Sequence, residues 1–194
     1  MRRAYSHVEM LIVVAALAIV VGVLTPVFFS THCGVSRKSS CQSNLKQISL
    51  GFMQYVEDYN AVLPPMKTGT SSGWADAVQP YIKSWQLFQC PSAPSKNPPS
   101  SDYFFNARLS RGYVPKIESS AQTILLGEGA DDAPTWANLR QLPPRWILDL
   151  KSPIYRHTSG ANYAFADGHV KWMKPEKISN ASPSKTNGPT FAVR

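Results

Sequence analysis

The chain has 194 residues with a formal net charge of +8, 43% hydrophobic and only 16% charged residues, and 16 prolines. That length accommodates one modest domain rather than several, and the proline count with few charges excludes a simple helical bundle in favour of a small sheet with many loops. Three cysteines are too few for a disulfide-dense scaffold. The cations Lys67, Lys83, Lys96, Arg108, Arg111, Lys116, Arg140 and Arg145 are scattered. They read as solvated surface rather than as a footprint for a polyanion such as nucleic acid or polysaccharide.

The N-terminus is the most informative stretch. Arg2-Arg3-Ala4 and Tyr5-Ser6-His7 precede an apolar run from Val8 to Phe29 that contains one acid, Glu9. As helix this run spans about 33 Å at about 1.5 Å per residue, which matches a hydrocarbon core of about 30 Å. A secretory signal would end in a small-x-small cleavage site. Here Leu24-Thr25-Pro26-Val27-Phe28-Phe29 continues the apolar character instead. The sequence therefore predicts a retained, single-pass membrane helix. Glu9 within it costs about 2.5–3.5 kcal/mol and needs a partner. A cut between Ala4 and Tyr5 supplies one, because the new amino group of a neighbouring copy neutralises the acid. Arg2 and Arg3 keep the short end cytoplasmic.

Arg2-Arg3-Ala4 before Tyr5, with Glu9 at the fifth position after the cut and an apolar helix beyond, resembles the class III leader of type IV pilins and type II secretion pseudopilins. Ala4 stands where that family usually has Gly, and Tyr5-Ser6-His7-Val8 replaces the common Phe-Thr-Leu-Ile. The resemblance implies cleavage at Ala4/Tyr5 and N-methylation of Tyr5 by a prepilin peptidase, with Glu9 setting registry between subunits. It also implies partners: other pilin-like subunits, a motor ATPase, an inner-membrane assembly platform and membrane lipid. The location implied is the bacterial inner membrane, with the C-terminal domain periplasmic or exterior. The expected fold is α+β and pilin-like, a long N-terminal helix packed on a small antiparallel sheet with loop insertions. The expected organisation is a leader over 1–4, a membrane and polymerisation helix over 5–30, a globular domain over 31–180 and a disordered tail over 181–194.

Beyond the span, Leu45, Ile48, Phe52 and Val56 fall at helical spacing, with Met53 and Tyr59 broadening the stripe, so 37–59 reads as an amphipathic helix. Pro26 is a candidate kink, and a break is expected near Cys33-Gly34. Asn60 offers a left-handed end, and Pro64-Pro65 bars continuation. In an extracytoplasmic domain thiols tend to pair. Cys41–Cys90 is the expected disulfide, closing a loop worth about 3–4 kcal/mol, with Cys33 left over near the membrane. The cysteine spacings fit neither a zinc ribbon nor a thioredoxin-like pair.

Trp74 to Ile82 reads as a short helix interrupted by Pro80, with Trp74, Ala77, Val78 and Tyr81 on one face. Ser92 to Ser101 reads as a loop. Tyr103-Phe104-Phe105, Thr123 to Leu126 and Ala161 to Phe165 read as strands, and Gly127 to Pro144 as an exposed insertion. Asp167-Gly168 reads as a primed hairpin turn, after which Phe165, Val170 and Trp172 present apolar surface to the helix.

His157 followed by Asp167-Gly168 resembles the His-x9-Asp-Gly segment of prepilin-like proteins with a C-terminal processing-associated domain. Cys41-Gln42-Ser43-Asn44-Leu45-Lys46-Gln47-Ile48 and Leu87-Phe88-Gln89-Cys90-Pro91-Ser92 resemble other segments of that family. His157, Asp167 and His169 also form a candidate zinc set, and Asp131, Asp132 or Asp167 a candidate calcium set. The simpler expectation is no cofactor, with Asp167 turning the chain and His157 bonded to nearby backbone. Glu128 reads as a lone acid at a strand end. No nucleophile elbow, phosphate loop or metalloprotease helix is present, so the chain is expected not to be an enzyme. The alternative reading is a membrane-anchored module binding polysaccharide or DNA, stacking ligands on Trp136, Trp146 and Tyr155 near Arg140, Arg145 and Arg156.

Overall fold

The computed structural model describes residues 7–29, 33–94, 97–179 and 188–193. The chain divides into two units, Met1–Cys33 and Gly34–Arg194.

The first unit contains α1, His7–Phe29, a helix of 23 residues. Its large apolar side chains from Val8 to Val23 are 52–68% exposed, distributed around the whole helix. Glu9 lies in its first turn. Pro26 does not end it, since α1 continues to Phe29. The described side chains of α1 run unbroken only from His7 to Val23, about 25 Å of helix. On the described residues no helix is long and apolar enough to cross a membrane, so the expected span rests on the sequence. Ala4 and Tyr5 lie outside the described residues.

The second unit is the α+β domain. Its first helix is α2 (Cys33–Asp58), in which Cys33 and Gly34 are helical, so the break expected near Cys33-Gly34 does not fall on those residues; residues 30–32 lie outside the described residues. Helix α2 ends as the sequence predicts, with Asn60 and Ala61 both left-handed at φ 53° and 61°. The stripe is confirmed in its centre: Leu45, Ile48 and Phe52 are fully buried, Val56 is half-buried, and Tyr59 is exposed and stacked on Tyr55. A two-residue hairpin pair, β1 (Lys67–Thr68) and β2 (Ser72–Gly73), leads into α3 (Trp74–Ile82). Pro80 lies inside α3 without interrupting it, and the buried face is Trp74, Ala75 and Val78 rather than the one centred on Ala77.

The main sheet comprises β3 (Ser101–Asn106), β4 (Ile124–Ala133), β5 (Asn138–Leu139), β6 (Ala161–Phe165) and β7 (Val170–Met173), in the order β5-β3-β4-β6-β7. All pairings are antiparallel except β3 with β5. Helix α2 covers one face: Cys41, Leu45, Ile48 and Phe52 join Trp74, Phe88, Tyr103, Phe105, Leu126 and Ala164 in one buried cluster. On the opposite face Phe104, Ile124, Tyr163, Phe165 and Phe191 form a second cluster under loops, with α4 (Pro144–Leu148) supplying the half-buried Trp146. This two-sided burial follows from the strand period of two, which sends Tyr103 and Phe105 one way and Phe104 the other.

Three expectations are corrected here. The stretch after Leu126 is no exposed insertion at its start, because β4 runs ten residues and Gly127, Glu128 and Gly129 are buried. A Cβ at Gly127 would meet the Phe104 ring at 2.6 Å and the Tyr163 ring at 2.7 Å, so only glycine lets those aromatics close over the strand. Phe165 faces the loop side of the sheet, while Val170 packs with the helix cluster. Within the tail expected over 181–194, the described residues 188–193 pack on the domain, while 181–187 and 194 lie outside the described residues. Thr190 bridges Thr123 and Ser179, and Phe191 is fully buried, 5.7 Å from the Phe104 ring.

Candidate functional site

Between α2 and the sheet lies a polar cluster within an otherwise apolar layer. It begins with the disulfide: Cys41 on α2 is bonded to Cys90, the expected pairing, with Cα atoms 5.2 Å apart. Cys90 is fixed from the other side by Asp102, whose Oδ2 accepts from the Cys90 N–H at 2.7 Å and whose Oδ1 accepts from the Asp132 N–H at 2.8 Å. Burial pushes the Asp102 carboxyl up from its ordinary value, opposed by these two N–H donors and the Arg156 charge.

Glu128 projects from β4 into this layer and is completely buried. Its Oε1 accepts from Asn162 Nδ2 at 2.8 Å and lies 2.9 Å from His157 Nε2. The same imidazole nitrogen stands 3.5 Å from Cys90 Sγ. Asn162 also donates to the Lys38 carbonyl at 3.3 Å, tying β6 to α2. The second carboxylate oxygen, Glu128 Oε2, is buried without a hydrogen-bond partner, which costs about 1–3 kcal/mol or more for a charged group. Burial first, and then the Glu128 charge, push the Tyr103 and Tyr163 hydroxyls upward, so both remain phenols at neutral pH.

His157 reaches this position through its loop. Thr158 and Ser159 are both left-handed, at φ 54° and 64°, a conformation costing about 1–2 kcal/mol per residue. The loop closes by the His157 N–H donating to Gly160 O at 2.9 Å, and Trp172 Nε1 donates to the His157 carbonyl at 2.7 Å. Next door, Arg156 donates to Gly129 O at 3.0 Å and pairs with Asp131. Consecutive residues of one loop therefore both bond to β4. His157, expected to bond to nearby backbone, does so through its N–H to Gly160 O, while its imidazole meets the Glu128 carboxylate instead. Glu128, expected to be a lone acid at a strand end, is the buried partner.

The sequence-derived metal sets do not assemble. Asp167 and His169 sit together on the hairpin, 2.6 Å apart and partly exposed, while His157 is buried with Glu128. Burial raises the Asp167 carboxyl, but the His169 N–H and imidazole outweigh it and hold the carboxyl below its usual value. Only Gly168 has positive φ in that turn, at 84°, and Phe165 N–H donates to His169 O. This is a turn followed by a left-handed glycine rather than a primed two-residue turn. Lys46 Nζ on α2 donates to the Gly168 carbonyl at 2.8 Å, docking the hairpin on the helix. Of the calcium candidates, Asp131 pairs with Arg156 and Asp132 accepts from Asn97 and Ser100. The stacking candidates are half-buried: Trp146 and Tyr155 lean on the second core cluster, and Lys67 stands 4.5 Å over the Trp136 ring.

Among the described residues, Cys41, Cys90, Glu128 and His157 bring their ligand-type atoms within 4.8 Å of one another, all buried. The class defined by the described fold is an α+β domain with one helix on a small antiparallel sheet, preceded by an apolar helix in a separate unit. Residues 35–89 match a family model described as "Protein of unknown function (DUF1559)", from within the first turn of α2 to the segment before Cys90. No curated protein and no solved structure matches the chain.

Proposed function

We propose that the chain is a non-enzymatic structural subunit of a type IV pilus-like or type II secretion pseudopilus filament. In this reading a prepilin peptidase cleaves between Ala4 and Tyr5 and methylates Tyr5, and α1 drives assembly in the inner membrane. The observation that carries it is α1 itself. It is a helix whose large apolar side chains from Val8 to Val23 all face outward, with a single acid, Glu9, in its first turn. Such a helix requires an apolar environment on every side, and the sequence extends its apolar character to Phe29. Lipid before assembly and neighbouring helices after it supply that environment. Glu9 then pairs with the amino group of an adjacent subunit, which removes the cost of an intramembrane charge. The His-x9-Asp-Gly segment supports the same reading, since it carries the loop and hairpin that lock the sheet to α2.

The test is coexpression with a prepilin peptidase, motor ATPase and platform, followed by shearing and microscopy. Wild type is expected in sheared filaments, and Glu9→Ala is expected to leave a folded, membrane-held domain that never enters them. Filaments that form equally well with Glu9→Ala contradict the proposal. Retention of a polysaccharide or DNA by the unassembled protein favours the anchored binding module instead.

A further inference from the structure

We propose that the buried Cys41–Cys90–Glu128–His157 cluster is a two-state site, a disulfide in the oxidised protein and a closed zinc site in the reduced one. The donor set is the kind zinc takes: two thiolates, an imidazole nitrogen and a carboxylate oxygen, with no position left open to solvent. Tetrahedral zinc with arms of about 2.0–2.3 Å sets its ligand atoms about 3.3–3.8 Å apart. The four donor atoms already lie within 4.8 Å of one another, contributed by α2, the segment before β3, β4 and the His157 loop. The contact of His157 Nε2 with both Glu128 Oε1 and Cys90 Sγ, at 2.9 and 3.5 Å, converges three of the donors on one point. An independent observation points the same way: Glu128 Oε2 is buried with no hydrogen-bond partner, an acceptor that a cation satisfies.

The chemistry balances with a dithiol as reductant. The dithiol transfers two electrons and two protons to the Cys41–Cys90 bond and leaves as its own disulfide. Zinc then displaces both thiol protons to solvent, while His157 ligates through Nε2 as its neutral Nδ1–H tautomer. In the reverse step a small-molecule disulfide accepts two electrons from the two thiolates and leaves as a dithiol after taking up two protons from solvent, while the Cys41–Cys90 bond re-forms and the zinc ion is released. The cluster thus holds α2 to the sheet in either redox state, by a covalent bond or by a metal. This inference does not depend on filament assembly.

The experiment uses the full chain with Cys33→Ser in detergent, so that the third thiol contributes nothing. Zinc per chain is measured after anaerobic treatment with excess dithiol and removal of the reductant, and in parallel on oxidised protein. One zinc per reduced chain and none per oxidised chain is expected, with cobalt in place of zinc giving the visible bands of a tetrahedral thiolate site. His157→Gln and Glu128→Gln are each expected to weaken zinc by at least about tenfold. Equal zinc on oxidised and reduced protein overturns the proposal, as does its absence from the reduced chain. So does a reduced chain whose zinc affinity is unchanged in His157→Gln and Glu128→Gln, because that metal is held by thiols of an unfolded polypeptide. The oxidised-versus-reduced comparison needs neither of these two ligand variants, so it stands even if both fail to fold.

Discussion

His157 Nε2 lies 2.9 Å from Glu128 Oε1 with both side chains shut off from solvent, joining the loop before β6 to the middle of β4. A buried pair of this kind is not in itself a source of net stability, but removing one partner strands the other. His157→Ala is therefore expected to destabilise the domain by about 3–5 kcal/mol, read as a shift in the denaturant midpoint. Glu128→Gln keeps an acceptor for Asn162 and is expected to cost less. Equal, negligible effects from both would show that the pair is not formed.

The Cys41–Cys90 bond closes a loop with a sequence separation of 49. In the chain-entropy account this is worth about 4 kcal/mol. Denaturant unfolding of metal-free protein with and without reductant is expected to differ by that order. Peptide mapping without reduction should yield a Cys41–Cys90 cross-link, and a link involving Cys33 in its place would contradict the structure.

Phe191 is fully buried against Phe104 near the end of the chain. Phe191→Ala is expected to lower stability by about 3–5 kcal/mol, measured by thermal or denaturant melting. A change below about 0.5 kcal/mol, typical of exposed positions, would mean the segment does not dock.

Asp167 contributes a pH dependence whose sign follows from its lowered carboxyl. The folded state holds the ionised form more tightly than the unfolded chain, so the contribution is full above the unfolded value of about 3.9. It is lost as pH falls through the lower folded value. The group is partly exposed, so the effect is at most about 1 kcal/mol. Comparing acid melts of wild type and Asp167→Asn should show the difference at neutral pH and its disappearance in strong acid.

Much of the domain is legible in the sequence because its pattern is local. The spacing of Leu45, Ile48 and Phe52 reports the buried face of α2, Asn60 and Pro64-Pro65 report its end, and Ala161 to Phe165 reads as β6 from composition alone. The cysteine pairing is legible because few thiols are present and the expected extracytoplasmic placement would favour their pairing. Glu128 is not legible, because its partners His157 and Asn162 are distant in sequence and a charged residue between two glycines resembles a loop. The glycines are themselves the usable signal: Gly127 is small because aromatic rings close over the strand. The docking of Phe191 is hidden for a related reason, since the Ser-, Pro- and Lys-rich stretch before it carries no periodicity. The type of the hairpin turn is not legible, because Asp-Gly serves both a primed turn and a left-handed glycine after an ordinary one, and only φ separates them.

The measurement that bears most directly on the proposed role is the intact N-terminal mass of the membrane-extracted protein coexpressed with a prepilin peptidase. A mature chain beginning at N-methylated Tyr5 is the expected result. An intact Met1 start, or a cut beyond Phe29 that removes the apolar helix, would contradict it.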